Sequence, residues 1–214
     1  MAVTISGSTG IASVDGSAGS PGSRGTDANS GVFYSADAIK FSTGGTERAV
    51  IDNNGLSAAG HVIQVVSATY STEVSTTSQD YSDTGLTCNI TPRSSSNKIL
   101  VLVSQPFRTQ RSTTVANGGI RILRDSTVIV SSASLETDGR PYGIHIDVSG
   151  SGASETTLKG VWNRTYLDSP SSTSALTYKT QHATYNESNS NSFRTQYDST
   201  VDESSYIILM EVAG

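Results

Sequence analysis

Cleaving a glycosidic bond takes two carboxylates facing each other across a cleft. The chain offers Asp80 and Asp83, Asp138, Asp147, Glu155, Asp198, and the neighbours Asp202 and Glu203. All lie in turn-like or exposed stretches, and spacing singles out no pair. His61, His145 and His182 each lack a second His or a Cys at metal-ligand spacing. They read as surface or boundary residues. "DSTVDESS" at 198–205 is rich in oxygen ligands but lacks the ordered spacing of a calcium loop. There is no G-x-S-x-G elbow and no phosphate-binding glycine loop. The single cysteine, Cys88, excludes an internal disulfide. It reads as a small, half-buried hydrophobe in "GLTCNITP". The expectation is a protein that is not an enzyme and needs no cofactor or metal.

Binding chemistry is better represented. A saccharide is held by rings stacked on its apolar faces and by planar polar groups that meet its hydroxyls. Three stretches combine both. "DGRPYG" brings Asp138, Arg140 and Tyr142. "WNRTYLDSP" brings Trp162, Asn163, Arg164 and Tyr166. "HATYNESNSNSFRTQY" brings His182, Tyr185, Asn186, Asn189, Phe193, Arg194 and Tyr197. From these, Arg140, Tyr142, Trp162, Arg164, Tyr166, Tyr185 and Arg194 are taken as receptor-binding candidates. Trp162 is the only Trp and reads first as a core residue. The Asn/Ser run at 186–192 reads as a hairpin loop, and loops at a sandwich end are where binding sites gather.

The elements that must position these residues follow from composition and periodicity. Charged residues make up 15% of the chain and hydrophobic ones 35%, with 20 glycines. Both fractions are low for a globular protein, and the difference is uncharged polar surface typical of turn-rich β structure. The formal net charge is −5. With no basic stripe, this argues against a nucleic-acid partner. No apolar run is long enough to span a bilayer. "MAVTISG" lacks the basic and apolar regions of a signal peptide.

Residues 1–31 read as an extended Gly/Ser-rich attachment segment. Glycines at 16, 19, 22 and 25 keep a period of three, which fits either a flexible linker or a short three-chain neck. Residues 32–60 read as a module of short strands. Ile39 and Phe41 share one face, Gly44-Gly45 makes a tight turn, Ala49 and Ile51 alternate on the return, and Asn54-Gly55 turns again. Such short strands cannot bury a core alone. Residues 61–214 read as an antiparallel, jelly-roll-like β-sandwich. Strands are expected near 61–69, 72–77, 84–91, 98–108, 119–124, 127–134, 142–149, 155–166, 174–185, 191–197 and 204–213. "KILVLVS" and "SYIILMEV" are apolar on both faces, so each needs cover on both. In a chain without helices, another copy of the chain is the cover expected.

Residues 25–56, "GTDANSGVFYSADAIKFSTGGTERAVIDNNGL", resemble a module of tail-fibre and other virion proteins of tailed bacteriophages. There, a "TNSGIFF" phrase leads into "F-STGGTER" and then "R-ID-S-GN". Asn29 to Phe33, Gly44 to Arg48 and Ile51 to Gly55 match it. The usual "VGIGT" continuation is replaced by "LSAAGHVIQ". "MAVTISGSTGI" is similar to the start of marine cyanophage proteins. The body resembles their C-terminal β domains through "QVVSATYSTEVSTTS", "TPRSSSNKILVLVS" and "ILMEVAG". The resemblance implies an all-β homotrimer in the virion, assembled in the host cytoplasm, with strands of three chains about one axis. The implied interface candidates are Phe41, Ile51, Leu100, Leu102, Ile207 and Leu209. Its implied partners are other virion proteins, through the N-terminal segment, and host surface polysaccharide. It implies no nucleic acid and no membrane insertion. A capsid decoration or head-fibre protein with a purely structural role is the alternative.

Overall fold

The computed structural model describes residues 15–111, 115–131, 143–147, 156–184, 191–197 and 203–214. The described residues are all-β and contain no helix. By their contacts they fall into two units: residues up to Ile63 with Val212–Gly214, and Gln64–Glu211.

The first unit is a meander. Its strands are β1 (Gly16–Ser17), β2 (Ser20–Pro21), β3 (Ser23–Arg24), β4 (Gly31–Ser35), β5 (Ala38–Thr43), β6 (Thr46–Asp52) and β7 (Gly55–Ala58). β3 to β7 form one five-stranded sheet in chain order, and β1 pairs with β2. Thr43 pairs with Thr46, leaving a two-residue loop of Gly44 (φ 58°) and Gly45 (φ 75°). Two positive φ values at the loop are what a tight hairpin of right-handed twist needs. The next turn is Asn53-Asn54, one residue earlier than expected. Gly55 already pairs with Asp52, whose Oδ1 accepts from the Asn54 amide at 2.7 Å.

The period-three glycines make neither a neck nor a flexible linker over Gly16 to Arg24. Gly16 pairs with Pro21, and Arg24 pairs with Gly31. A Cβ on Gly16 would stand 2.4 Å from the Gly22 nitrogen, so this glycine is set by a close turn and not by a triple-helix axis.

The second unit contains β8 (Val62–Tyr70, entered from the meander), β9 (Val74–Thr76), β10 (Ser82–Ile90), β11 (Lys98–Arg111), β12 (Val115–Arg124) and β13 (Thr127–Ser131). It continues with β14 (Ile144–Asp147), β15 (Thr156–Asp168), β16 (Leu176–Ala183), β17 (Asn191–Thr195) and β18 (Ser205–Val212). One sheet runs β10-β16-β12-β13, with β14 also on β12. The other runs β8-β18-β11-β17-β9, with β15 also on β11. The two sheets pack as a sandwich whose core holds Leu86, Ile99, Val101, Val103, Ile120, Ile122, Tyr178, Phe193, Ile207 and Leu209.

Two buried carboxylates tie this sandwich. Asp168 sits beside Ile99 in the six-stranded sheet. It accepts both oxygens' bonds from Arg124 Nη1 at 2.7 and 2.6 Å, and one from Tyr178 Oη at 2.7 Å. Arg124 and Tyr178 belong to the opposite sheet, so one carboxylate links the two layers. Burial first, and Asp168 second, push the Tyr178 hydroxyl far above its usual value, so it stays a donor. Glu211 is fully buried at the end of β18. It accepts from the Arg93 amide and from Asn97 Nδ2, both at 2.6 Å, and from Gln64. These bonds anchor the β10–β11 connection and satisfy a charge that would otherwise be costly to bury.

Candidate functional site

The meander offers one open apolar face. Its register aligns Tyr34, Ile39, Ile51 and Leu56 in one row, and Val32, Phe41, Ala49 and Ala58 in the next. Ile39 is 42% exposed, Phe41 39%, Ile51 41% and Leu56 48%. The opposite face carries Phe33, Lys40 and Val50 in register, and a cleft of about 410 Å³ is lined there by Lys40, Glu47 and Val50. Phe33 is buried beneath Lys40, whose Nζ lies 5.8 Å from the ring centroid and 3.0 Å from Glu47.

The sandwich offers a second surface, on the side of the six-stranded sheet turned away from the core. Across β11 and β15, Leu100 faces Leu167, Leu102 faces Thr165, Ser104 faces Asn163, Pro106 faces Val161 and Arg108 faces Lys159. β18 adds Tyr206, Ile208 and Met210. Val161, Leu167 and Tyr206 are the exposed large apolar groups of these strands on this face. Two adjoining clefts are cut into it, both lined by Ser104 and Tyr206. One, of about 350 Å³, also takes Leu102, Val103, Asn163, Arg164, Thr165 and Ile208. The other, of about 370 Å³, takes Pro106, Lys159, Val161, Tyr197, Glu203 and Ser204.

Charge is concentrated beside the second cleft. Arg194, Arg108 and Lys159 stand in cross-strand register on β17, β11 and β15. Arg194 pairs with Glu73 at 3.1 Å. Lys159 Nζ lies 5.1 Å from the Tyr197 ring centroid. Arg108 Nε and Glu203 Oε2 are shielded from solvent and have no hydrogen-bond partner among the described residues.

The residues expected from sequence are distributed as follows. Arg140, Tyr142 and Tyr185 lie outside the described residues. Trp162 is a core residue at 9% exposure, so its ring is not offered to a ligand. Arg164 and Tyr166 are exposed and alternate onto the other side of β15 from Asn163 and Val161; Arg164 still borders the first cleft, and Tyr166 borders neither. Arg194 is part-exposed and held by Glu73. Phe41 and Ile51 lie on the open meander face, and Leu100 and Leu102 on the outward sheet face. Ile207 and Leu209 are at 0% exposure inside the sandwich, so they face the core and no neighbouring copy can reach them. Their outward alternates are Tyr206, Ile208 and Met210. His182 is likewise no boundary residue. It is fully buried, edge-on to Phe193 at 5.9 Å, and burial holds its pKa down to about 4. Lys159, Arg108 and Tyr206 were missed by looking for aromatic-rich loops. Their signal was alternation within strands.

Among the described residues no cluster of three or more His, Cys, Asp or Glu is placed to hold a metal ion. No described helix is long and apolar enough to cross a membrane. No protein-family model matches the chain, and no curated protein matches it. Similar solved structures include a chain from infectious bursal disease virus strain Gx, at 11% identity and TM-score 0.35. The match covers 76% of this chain and 41% of that one. A chain of T=1 particles derived from the same virus is 10% identical with TM-score 0.33, covering 94% and 54%. A VP2 subviral particle chain is 9% identical with TM-score 0.31, covering 82% and 47%. The chain spans about half the length of these structures.

Proposed function

We propose that the chain is a structural protein of a bacteriophage virion. Copies associate as a homotrimer through the meander, residues 1–31 dock on other virion proteins, and the sandwich meets host surface polysaccharide. The observation that carries the reading is the open face of the meander: eight residues in two rows of one apolar surface, with four large side chains about two-fifths or more exposed. A single-layer sheet with an apolar face gains its second layer from outside. Completing the burial of each large side chain contributes about 1 kcal/mol, part of the 1.5–3 kcal/mol for full burial. Summed over three chains, this is comparable to the cost of association. Closed three-fold symmetry lets each face meet the same face of its mates and leaves none open. The matching "NSGVF", "GGTER" and "IDNNG" stretches lie in or beside this sheet and supply the virion part of the reading.

Light scattering on a size-exclusion column tests it. Three chains of 22.3 kDa give about 67 kDa for a closed trimer. A monomer at micromolar concentration overturns the assembly reading, and a capsid decoration role then takes its place.

A further inference from the structure

We infer that the double cleft around Tyr206 is a binding site for an acidic saccharide chain. The inference rests on the polysaccharide contact proposed above and gives it a place and a chemistry.

Four observations converge. First, Tyr206 and Tyr197 present rings at a cleft of about 370 Å³, and Tyr206 also borders the adjoining cleft of about 350 Å³. Each is within the size of a small-ligand pocket, and two in series on a strand face suit successive sugar rings. Second, polar groups ring the aromatic floor: Ser104, Asn163, Thr165, Lys159, Glu203 and Ser204. Sugar hydroxyls need donors and acceptors of this mixed kind. Third, Glu203 Oε2 is shielded and accepts nothing from the described residues. A buried polar atom without a partner calls for one, and a hydroxyl donor supplies it.

Fourth, Arg194, Arg108 and Lys159 stand as direct cross-strand neighbours. Like charges opposite one another destabilise a sheet, and here they persist in a chain of net charge −5. Among the described residues, Arg194 is the one of the three paired with a carboxylate, Glu73. Arg108 and Lys159 form no ion pair among the described residues; Lys159 lines the second cleft and Arg108 stands beside it in register, so a ligand anion there meets positive charge. A carboxylated sugar supplies that anion on the same molecule as the hydroxyls. A second protein copy fits less well, because Lys and Glu are depleted at the centre of protein interfaces.

The test is an array of uronate-bearing, sialylated and neutral bacterial oligosaccharides, probed with the full chain. Wild type is expected to retain acidic oligosaccharides over neutral ones, with binding that weakens as salt rises. Tyr206→Ala and Lys159→Gln are expected to lose at least tenfold. Leu167→Ser, on the same face but outside both clefts, is expected to bind as wild type. Circular dichroism confirms that each variant is folded, and light scattering on the same samples reports assembly separately. A monomer that still binds acidic oligosaccharide leaves this site standing and removes the trimer. Retention of no acidic oligosaccharide, or Tyr206→Ala binding as wild type, overturns the site. Equal binding of single-stranded DNA overturns the saccharide assignment, and a change of molar mass in Tyr206→Ala identifies the cleft as a contact between copies.

Discussion

Acidification is expected to weaken the sandwich through one residue, His182. Its imidazole is fully buried, with neither nitrogen bonded to a described residue. It packs on Phe193 and pairs in the ladders with Ile120 and Ser82. Burial lowers its pKa from 6.5 to about 4. The unfolded chain takes up a proton near pH 6.5, while the folded chain resists until about pH 4. Between those values the unfolded state binds more protons, so stability falls as pH falls. At pH 4.5 the linkage contributes a loss of about 2.5 kcal/mol relative to pH 7.5, at 1.36 kcal/mol per pKa unit. The loss levels off below about pH 4. Urea unfolding of wild type and His182→Gln at pH 7.5 and 4.5 isolates the contribution, because shifts at other titrating groups cancel in the difference. The variant's loss over that interval should be smaller by about 2–3 kcal/mol, the size of the wild-type linkage. Equal losses in both proteins, or an imidazole titrating near 6.5 by NMR in the folded protein, would refute the reasoning.

Gly118→Ala places a Cβ 2.1 Å from Phe193 Cδ2 and 2.9 Å from the Ala183 carbonyl. Phe193 is fully buried and has no room to retreat, so thermal unfolding should report a loss of about 1–3 kcal/mol. Asp168→Asn keeps the shape but leaves the Arg124 guanidinium without its counter-charge between the sheets. The expected cost is about 3–5 kcal/mol, against about 1 kcal/mol for Tyr178→Phe, measured by urea midpoints. Ile51→Asp with Leu56→Asp replaces two of the four residues of one row with charges, and light scattering should read 22.3 kDa in place of the proposed trimer mass.

Much of the fold was legible because strand spacing and turn chemistry are local. β8 to β18 fall close to the expected positions, and Gly44-Gly45 makes the expected hairpin loop. What sequence could not decide was parity. In "SYIILMEV" the sets Ile207/Leu209 and Ile208/Met210 are equally apolar, and a one-residue shift exchanges them. The choice is made by distant partners of Glu211: the Arg93 amide, Asn97 and Gln64 draw a carboxylate inward, and Leu209 and Ile207 follow it at i−2 and i−4. The candidate site suffered in the same way. Trp162 and Arg164 share one side of β15, and Asn163 and Val161 the other, so a run that reads as one binding phrase is divided: Trp162 enters the core, Asn163 and Arg164 border a cleft, and Tyr166 borders neither. His182 was misplaced because a polar residue at a strand's inward position looks like a boundary residue until its neighbours are known. Phe193 and the facing sheet supply that knowledge, and neither is near His182 in sequence.

Ala213 returns to the segment that follows the meander. Ala213 donates to His61, and Gly60 donates to Ala213, while everything from Gln64 to Glu211 forms the other unit. β8 leads into that unit, β18 leads out of it, and the two are hydrogen-bonded neighbours. The sandwich is therefore inserted into the chain between two strands that are hydrogen-bonded neighbours. Any β body whose first and last strands pair side by side meets the same two attachment points, and its exchange leaves the ladders of β3 to β7 untouched. Such a connection lets the sandwich diversify while the meander sheet stays fixed.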